Sequence, residues 1–222
     1  MRHGKYTSSA IYKLMGSDKV RTTYIQEKKF EQKLGISLST DTNAKSLTWG
    51  LLMEKYVAKY YLKQGYNLNS DIVIQSPDYP YWCGTPDGDC GHIVFDIKNP
   101  FTRLSFCQQI EIIKSGDLEL FEKNKPEYFW QLVSNSILTG IDTAELIVFM
   151  PKLNELQNIR DFASNLDDER LESRLFWIAN SLDSDLPYLP EDCEYESYNS
   201  FKFEVPQDAK YRLKANLTKY PL

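Results

Sequence analysis

The stretch Gly84-Thr-Pro-Asp-Gly-Asp-Cys-Gly-His-Ile-Val-Phe-Asp-Ile-Lys-Asn-Pro100 decides how the rest of the chain is read. Pro86-Asp87-Gly88 carries turn chemistry, and a strand is expected from His92 to Lys98, stopped by Asn99-Pro100. Successive strand side chains point to opposite faces, so Ile93, Phe95 and Ile97 share one apolar face, expected to pack inward. Val94, Asp96 and Lys98 share the other. That second face sets a carboxylate beside an ammonium, within reach of Asp87 if the preceding strand is a hairpin partner. Two carboxylates and a lysine around one point can bind a hard divalent cation and hold a water for attack.

A chain of 222 residues can bury one sizeable core, and a single domain over 1–222 is expected. No apolar run reaches the length of a membrane span and no signal-peptide core follows the N-terminus, which makes the cytoplasm the expected location. Cys83, Cys90, Cys107 and Cys193 form no Cys-Xaa-Xaa-Cys pair and read as reduced thiols, so neither zinc nor an iron–sulfur cluster is expected. The net charge of −5 opposes nucleic-acid binding, but its distribution favours it. Residues 1–65 hold 12 Lys/Arg against 5 Asp/Glu, and the remainder holds 14 against 26. A basic first third can track phosphates while an acidic remainder faces solvent.

Along the chain, a short helix is expected after Thr7-Ser8-Ser9, with a serine as its cap and Gly16 as its end. Arg2 and Lys5 upstream of those hydroxyls offer an anion site, although capping alone also accounts for the serines. A basic helix over 19–35 is expected to bury Val20, Tyr24, Ile25, Phe30 and Leu34. A stronger helix runs from Asn43 to Leu62 and carries Glu54, a carboxylate between Gly50 and Ala58 on one face. Asp71–Gln75 and Tyr81–Gly84 read as strands, and Thr102–Lys114 as a helix. Residues 118–124 are ambiguous. Pro126 opens a helix that Gly140 closes, with Gln131 among apolar neighbours. Thr143–Met150 is the near-continuous apolar run of a central strand. Residues 153–182 are charged and helical, with a break near Asp167-Asp168, and 183–200 is an acidic loop. A strand over 201–205 and a helix over 206–219 end the chain. The expected class is α/β (α+β), a central mixed sheet flanked by helices.

Pro86-Asp87, followed nine residues on by Asp96-Ile97-Lys98, matches the short motif of the PD-(D/E)XK nucleases. Further pieces occur in order: Asn43-Ala44-Lys45 through Trp49-Gly50 to Glu54, Thr85-Pro86-Asp87-Gly88, Asp96 to Thr102, Tyr128 to Gln131, and Arg2 with Thr7 to Ser9. Over roughly residues 1–150 the chain therefore resembles the lambda-exonuclease-type, YqaJ-like viral recombinases, a branch of that superfamily. The resemblance implies a restriction-endonuclease-like core and a Mg2+-dependent 5′-to-3′ exonuclease acting on double-stranded DNA ends. It assigns Asp87, Asp96 and the Ile97 carbonyl to one or two Mg2+ ions, with Mn2+ as a substitute, and Glu54 to a second-metal site. Lys98 would orient or acidify the attacking water, and Gln131 would position the catalytic groups. Arg2, Ser9 and Thr85 match positions that grip a 5′-phosphate, and Arg103 lies one residue out of register with another such arginine. The family also implies a trimeric ring and a single-strand annealing partner.

Asp stands at position 96 where the family carries Glu, which shortens that arm. The chain begins almost at the family's arginine, so part of the ring's subunit interface is expected to be missing. Beyond Pro151 the resemblance fades. The competing readings are a nuclease of other polarity or endonuclease action, and a non-catalytic DNA-binding module on the same fold.

Overall fold

The computed structural model describes residues 2–38, 45–69, 72–168 and 172–222. Asn43, Ala44 and Asp71 of the expected helix and strand lie outside the described residues. The N-terminal part holds β1 (Tyr6–Thr7), a 3-10 turn at Ser8–Ala10, α1 (Tyr12–Met15), α2 (Asp18–Leu34) and α3 (Lys45–Tyr60). Four short strands follow, β2 (Asn67–Leu68), β3 (Ile74–Gln75), β4 (Trp82–Gly84) and β5 (Gly88–Asp89), and then β6 (Ile93–Lys98). Next come α4 (Arg103–Ser115), α5 (Leu118–Asn124), α6 (Pro126–Thr139) and β7 (Thr143–Phe149). The chain ends with α7 (Leu156–Asn165), α8 (Glu172–Ala179), β8 (Tyr198–Glu204) and α9 (Gln207–Lys219).

The five-stranded sheet has the order β2-β5-β6-β7-β8. β6 and β7 run parallel, with Asp96 opposite Leu146, and the other neighbours are antiparallel. A second sheet has the order β1-β4-β3. The fold is thus mixed α/β with mixed sheets flanked by helices, as expected. One detail differs. The partner of β6 on the Asp87 side is the two-residue β5, whereas the expected strand at Tyr81–Gly84 belongs to the other sheet.

Helices cover both faces of the larger sheet. Phe95, Ile97, Ile147 and Phe149 pack against α3 and α7, through Trp49, Leu52, Val57 and Ile159. Val94, Leu146 and Val148 pack on the other side against α4, α6 and α9, through Phe106, Leu132, Val133 and Leu213. Burying one such side chain contributes roughly 1.5–3 kcal/mol, so both faces of β6 and β7 are held firmly. Only one face of β6 was expected to pack. In the fold the Asp96 face is covered as well, and Asp96 is 0% exposed.

The helix ends follow local rules. Asp117 accepts from the Leu120 N–H and starts α5, Pro126 sits in the first turn of α6, and Gly140 closes that helix in the left-handed region at φ 74°. Gly88 serves another purpose. A Cβ there would lie 2.1 Å from the Asn67 carbonyl oxygen and 2.3 Å from the Phe95 ring, so only glycine lets β5 approach its neighbours.

α2 departs from its expected face. Val20, Phe30 and Leu34 are exposed, while Tyr24, Lys28 and Glu31 are buried. Glu31 accepts from the Gly4 N–H (2.8 Å), the Lys28 ammonium (2.9 Å) and the Leu38 N–H (3.1 Å). Gln32 donates to the Gly4 carbonyl (2.9 Å), so α2 holds both polar groups of that peptide, two residues after Arg2. Burial works to raise the Glu31 pKa, but these donors prevail and hold it below the ordinary 4.5. A depressed carboxylate pKa contributes stability above about pH 4.5, lost as pH falls through the folded-state value. Glu31→Ala is therefore expected to cost roughly 2–4 kcal/mol at pH 7, because it deprives two N–H groups of their acceptor and leaves the Lys28 ammonium with Glu27 in place of two carboxylates. The loss should shrink at pH 3–4; urea denaturation at the two pH values checks this.

Candidate active site

Asp87, Asp96, Lys98 and Glu54 reach one locality from three segments. Asp96 and Lys98 project from the α6 side of β6, in the alternation the strand dictates. Lys98 Nζ lies 3.6 Å from Asp96 Oδ2 and 5.5 Å from the centre of the Tyr128 ring on α6. Asp87 precedes β5 and is held at both ends. Its Oδ2 accepts from the Ile97 N–H (2.7 Å), and its carbonyl accepts from the Asn69 N–H (2.7 Å). Glu54 comes from α3, whose Gly50 carbonyl accepts from Asn99 Nδ2 at 3.4 Å, one turn before the glutamate. A Cβ at Gly50 would meet nothing, so open space adjoins Glu54 on that side.

The charges are interdependent. Burial pushes the Glu54 carboxyl up to about 8, reinforced by the charges of Asp87 and Asp96 and opposed by Lys98 and Lys55. Burial raises Asp96 to about 7, with Lys98 opposing and Asp87 adding to the rise. Asp87 is also raised by burial, against Lys98 and the Ile97 N–H. For Lys98, burial alone favours the neutral amine, but Asp96 and Asp87 outweigh it and keep the ammonium. Three carboxyl groups that repel one another beside Lys98, with Lys55 acting on Glu54, form a site short of positive charge.

Among the described residues no three Asp, Glu, His or Cys side chains are grouped so as to hold one ion. The expected chelate of Asp87, Asp96 and Glu54 on a shared ion is therefore not preassembled. The donor chemistry nonetheless fits Mg2+, which is commonly held by one or two carboxylates and completes its shell with water and substrate phosphate. Asp96 Oδ2 is buried without a close hydrogen bond, with the Lys98 ammonium 3.6 Å away, so it retains lone pairs for a ligand. All four cysteines are free thiols.

Beside the carboxylates lies a cavity of about 80 Å³ lined by Arg2, Thr7, Ser8, Ser9, Cys83, Gly84, Thr85 and Gln131. It gathers Arg2, Ser9, Thr85 and Gln131, four of the residues singled out from the sequence. The buried Thr85 hydroxyl has no hydrogen-bond partner. Burial raises the Cys83 thiol, and the cations Lys5 and Arg2 pull it back, which marks the cavity as electropositive. Ser8 does not cap a helix as expected. It sits inside the 3-10 turn, 2.8 Å from the Ser134 hydroxyl. Arg103 is placed elsewhere, its Nε donating to the Tyr188 carbonyl (2.8 Å) and its guanidinium 4.5 Å from the Tyr188 ring centre.

Sequence reasoning missed Asn135, whose Nδ2 donates to Asp96 Oδ1 at 3.3 Å. The available signal was its place one turn beyond Gln131, within the polar run Ser134-Asn135-Ser136 of a helix whose other buried residues are largely apolar.

The model of the YqaJ-like viral recombinase domain matches residues 1–142. The chain belongs to this family. No curated protein matches it. Among solved structures, the YqaJ-like chain is similar to an alkaline exonuclease (LHK-Exo) from Laribacter hongkongensis, with TM-score 0.63 and 18% identity, covering 99% of this chain and 87% of that one. A second structure of LHK-Exo, in complex with dAMP, matches equally. A phage related exonuclease from Haemophilus somnus 129PT matches with TM-score 0.58 and 14% identity, over 98% of this chain and 93% of that one. The shared fold thus extends past residue 142 into the segment where the sequence resemblance fades. Among the described residues of the YqaJ-like chain, no helix is long and apolar enough to cross a membrane.

Proposed function

We propose that this chain is a divalent-metal-dependent exonuclease that digests one strand of double-stranded DNA ends from 5′ to 3′, for phage-type recombination or repair. The observation that carries this reading is the adjacency of two unlike sites. Thr85 of the electropositive cavity is two residues from Asp87, and Gln131 of the same cavity is one turn from Asn135, which holds Asp96. A place for a terminal phosphate thus adjoins a carboxylate–lysine group suited to phosphodiester hydrolysis. Membership of the YqaJ-like family and likeness to exonuclease folds support the same reading.

In the proposed reaction, water attacks the phosphorus that links the terminal nucleotide to the next, and the bond to the 3′ oxygen breaks. The released 5′-mononucleotide carries a 3′ hydroxyl. The shortened strand keeps a 5′ phosphate, which can occupy the cavity in its turn. Asp87, Asp96 and the Ile97 carbonyl would hold Mg2+ or Mn2+, with Glu54 for a second ion, and the bound metal would supply positive charge to the phosphate and lower the pKa of a water. Lys98, kept protonated by the carboxylates, donates to the attacking water and to the phosphate as its charge develops. Gln131, on the cavity wall one helical turn before Asn135, would help position the reacting groups. The resemblance extends the proposal to further copies of the chain in a ring and to a single-strand annealing protein; solution mass and co-purification test these.

The test is digestion of linear duplexes labelled at either end, bearing 5′ phosphate or 5′ hydroxyl, with and without Mg2+. Loss of 5′-terminal label as mononucleotide, dependent on the metal and faster from phosphorylated ends, is expected. Release from 3′ ends or internal cleavage would overturn the polarity. Arg2→Ala should slow phosphorylated ends by ~10-fold or more, the loss of one charge-assisted contact, and affect hydroxyl ends much less. Equal slowing of both would assign Arg2 to general attraction along the backbone.

A further inference from the structure

We propose that Asn135 is a positioning residue that fixes the Asp96 carboxylate, so that one oxygen is pinned and the other is presented to a bound cation. The inference rests on the metal-dependent reading above. α6 buries Gln131, Ser134, Asn135 and Ser136. Polar side chains are costly in such a place unless they are used. Gln131 lines the anion cavity. Ser134 meets Ser8 at 2.8 Å and accepts from Trp82 Nε1 at 3.0 Å, and Ser136 donates to the Ile141 carbonyl at 2.6 Å. These two serines tie helix to strand and loop.

Asn135 is used differently. Its side chain has one hydrogen bond among the described residues, from Nδ2 to Asp96 Oδ1, and its own Oδ1 is buried without a partner. The amide orientation follows from the chemistry, since a carboxylate accepts and the other rotamer would set oxygen against oxygen. A leucine would fill a similar volume without leaving a buried carbonyl unsatisfied, so packing does not explain the asparagine. The backbone makes room for it. A Cβ at Gly84 would stand 3.0 Å from Asn135 Oδ1, so the bare glycine of β4 lets this part of α6 sit close. The other oxygen of Asp96, Oδ2, pairs with Lys98 Nζ at 3.6 Å, longer than a hydrogen bond. Asn135 thus holds Oδ1, while Oδ2, shared with the ammonium and without a close hydrogen bond of its own, is the oxygen placed to meet a cation. Partners that hold a ligating carboxylate in this way typically change metal affinity by about 10–100-fold when removed.

The experiment is Mn2+ titration of the full chain, reading free Mn2+ by electron paramagnetic resonance, for wild type, Asn135→Leu, Asn135→Ala, Asp96→Asn and Asn135→Leu/Asp96→Asn. Thermal melts select the variants that fold, and Asn135→Ala serves if the larger leucine disturbs α6. A folded Asn135 variant is expected to bind Mn2+ about 10-fold more weakly than wild type. In the Asp96→Asn background the same change should add nothing, because its effect runs through Asp96. Unchanged affinity in a folded Asn135 variant, or an equal loss in both backgrounds, would overturn the inference while leaving the metal reading intact. Failure of the unmutated chain to bind Mn2+ would overturn the metal reading, and the role of Asn135 with it.

Discussion

Lys98→Ala is expected to lower phosphodiester hydrolysis by roughly 10³-fold or more, the scale of removing a group that positions and stabilises the reacting atoms. The fold should survive. Lys98 is at the end of β6 with its side chain 19% exposed, beside the Asp96 carboxylate and the Tyr128 ring. The apolar side chains of β6, Phe95 and Ile97 on one face and Val94 on the other, are untouched. The electrostatic consequence is specific. The ammonium opposes the raised pKa of Asp96, Asp87 and Glu54, so its loss raises all three further. At pH 6 the variant should melt close to wild type, since protons can replace the missing cation, and at pH 8 it should melt lower. Circular dichroism melts at both pH values, together with a digestion assay, give the two readouts. Substantial cleavage by a folded Lys98→Ala protein would remove the lysine from the mechanism.

Glu54→Gln separates stability from activity in the opposite direction. The glutamate is raised to about 8 from an ordinary 4.5, chiefly by burial and then by Asp87. A raised carboxyl pKa contributes stability that is complete below about 4.5 and is lost as pH climbs through about 8. The metal-free wild-type protein therefore becomes less stable across that window, and Glu54→Gln lacks that loss. At pH 8 without metal the variant is expected to melt a few degrees above wild type, at roughly 2–4 °C per kcal/mol for a chain of this size. At pH 4 the two should coincide. Added Mg2+ should stabilise wild type at pH 8 more than the variant, and hydrolysis by the variant should fall by about 100-fold. A variant that melts with wild type at every pH would mean that Glu54 is solvated and apart from the two aspartates.

Much of the frame was legible because it depends on short-range rules. The Asp96–Lys98 alternation follows from the pleat of one strand, the limits of α6 from Pro126 and Gly140, and the central place of β7 from its near-continuous apolar run. Those features need no knowledge of distant residues. The grouping of Arg2, Ser9 and Thr85 came from the family resemblance, since nothing local ties residue 2 to residue 85, and the fold adds Gln131, read from the resemblance as a catalytic-group partner, to the same cavity. Other features belong to the tertiary structure alone. Whether the Asp96 face of β6 meets water or α6 depends on where a helix thirty residues later is laid. That contact buries the carboxylate fully, raises its pKa and supplies Asn135 as its partner. α2 shows the same limit. Its apolar periodicity pointed to Phe30 and Leu34, yet the buried side is Lys28 and Glu31, because the peptide at Gly4 needs hydrogen-bond partners there. Arg103 was drawn toward the cavity by its near match in register, and its guanidinium is instead taken by Tyr188 from the far end of the chain. Local sequence determines torsions, periods and breaks, whereas burial and charge coupling arise from pairs of segments distant in the chain, brought together only when both faces of the sheet are covered.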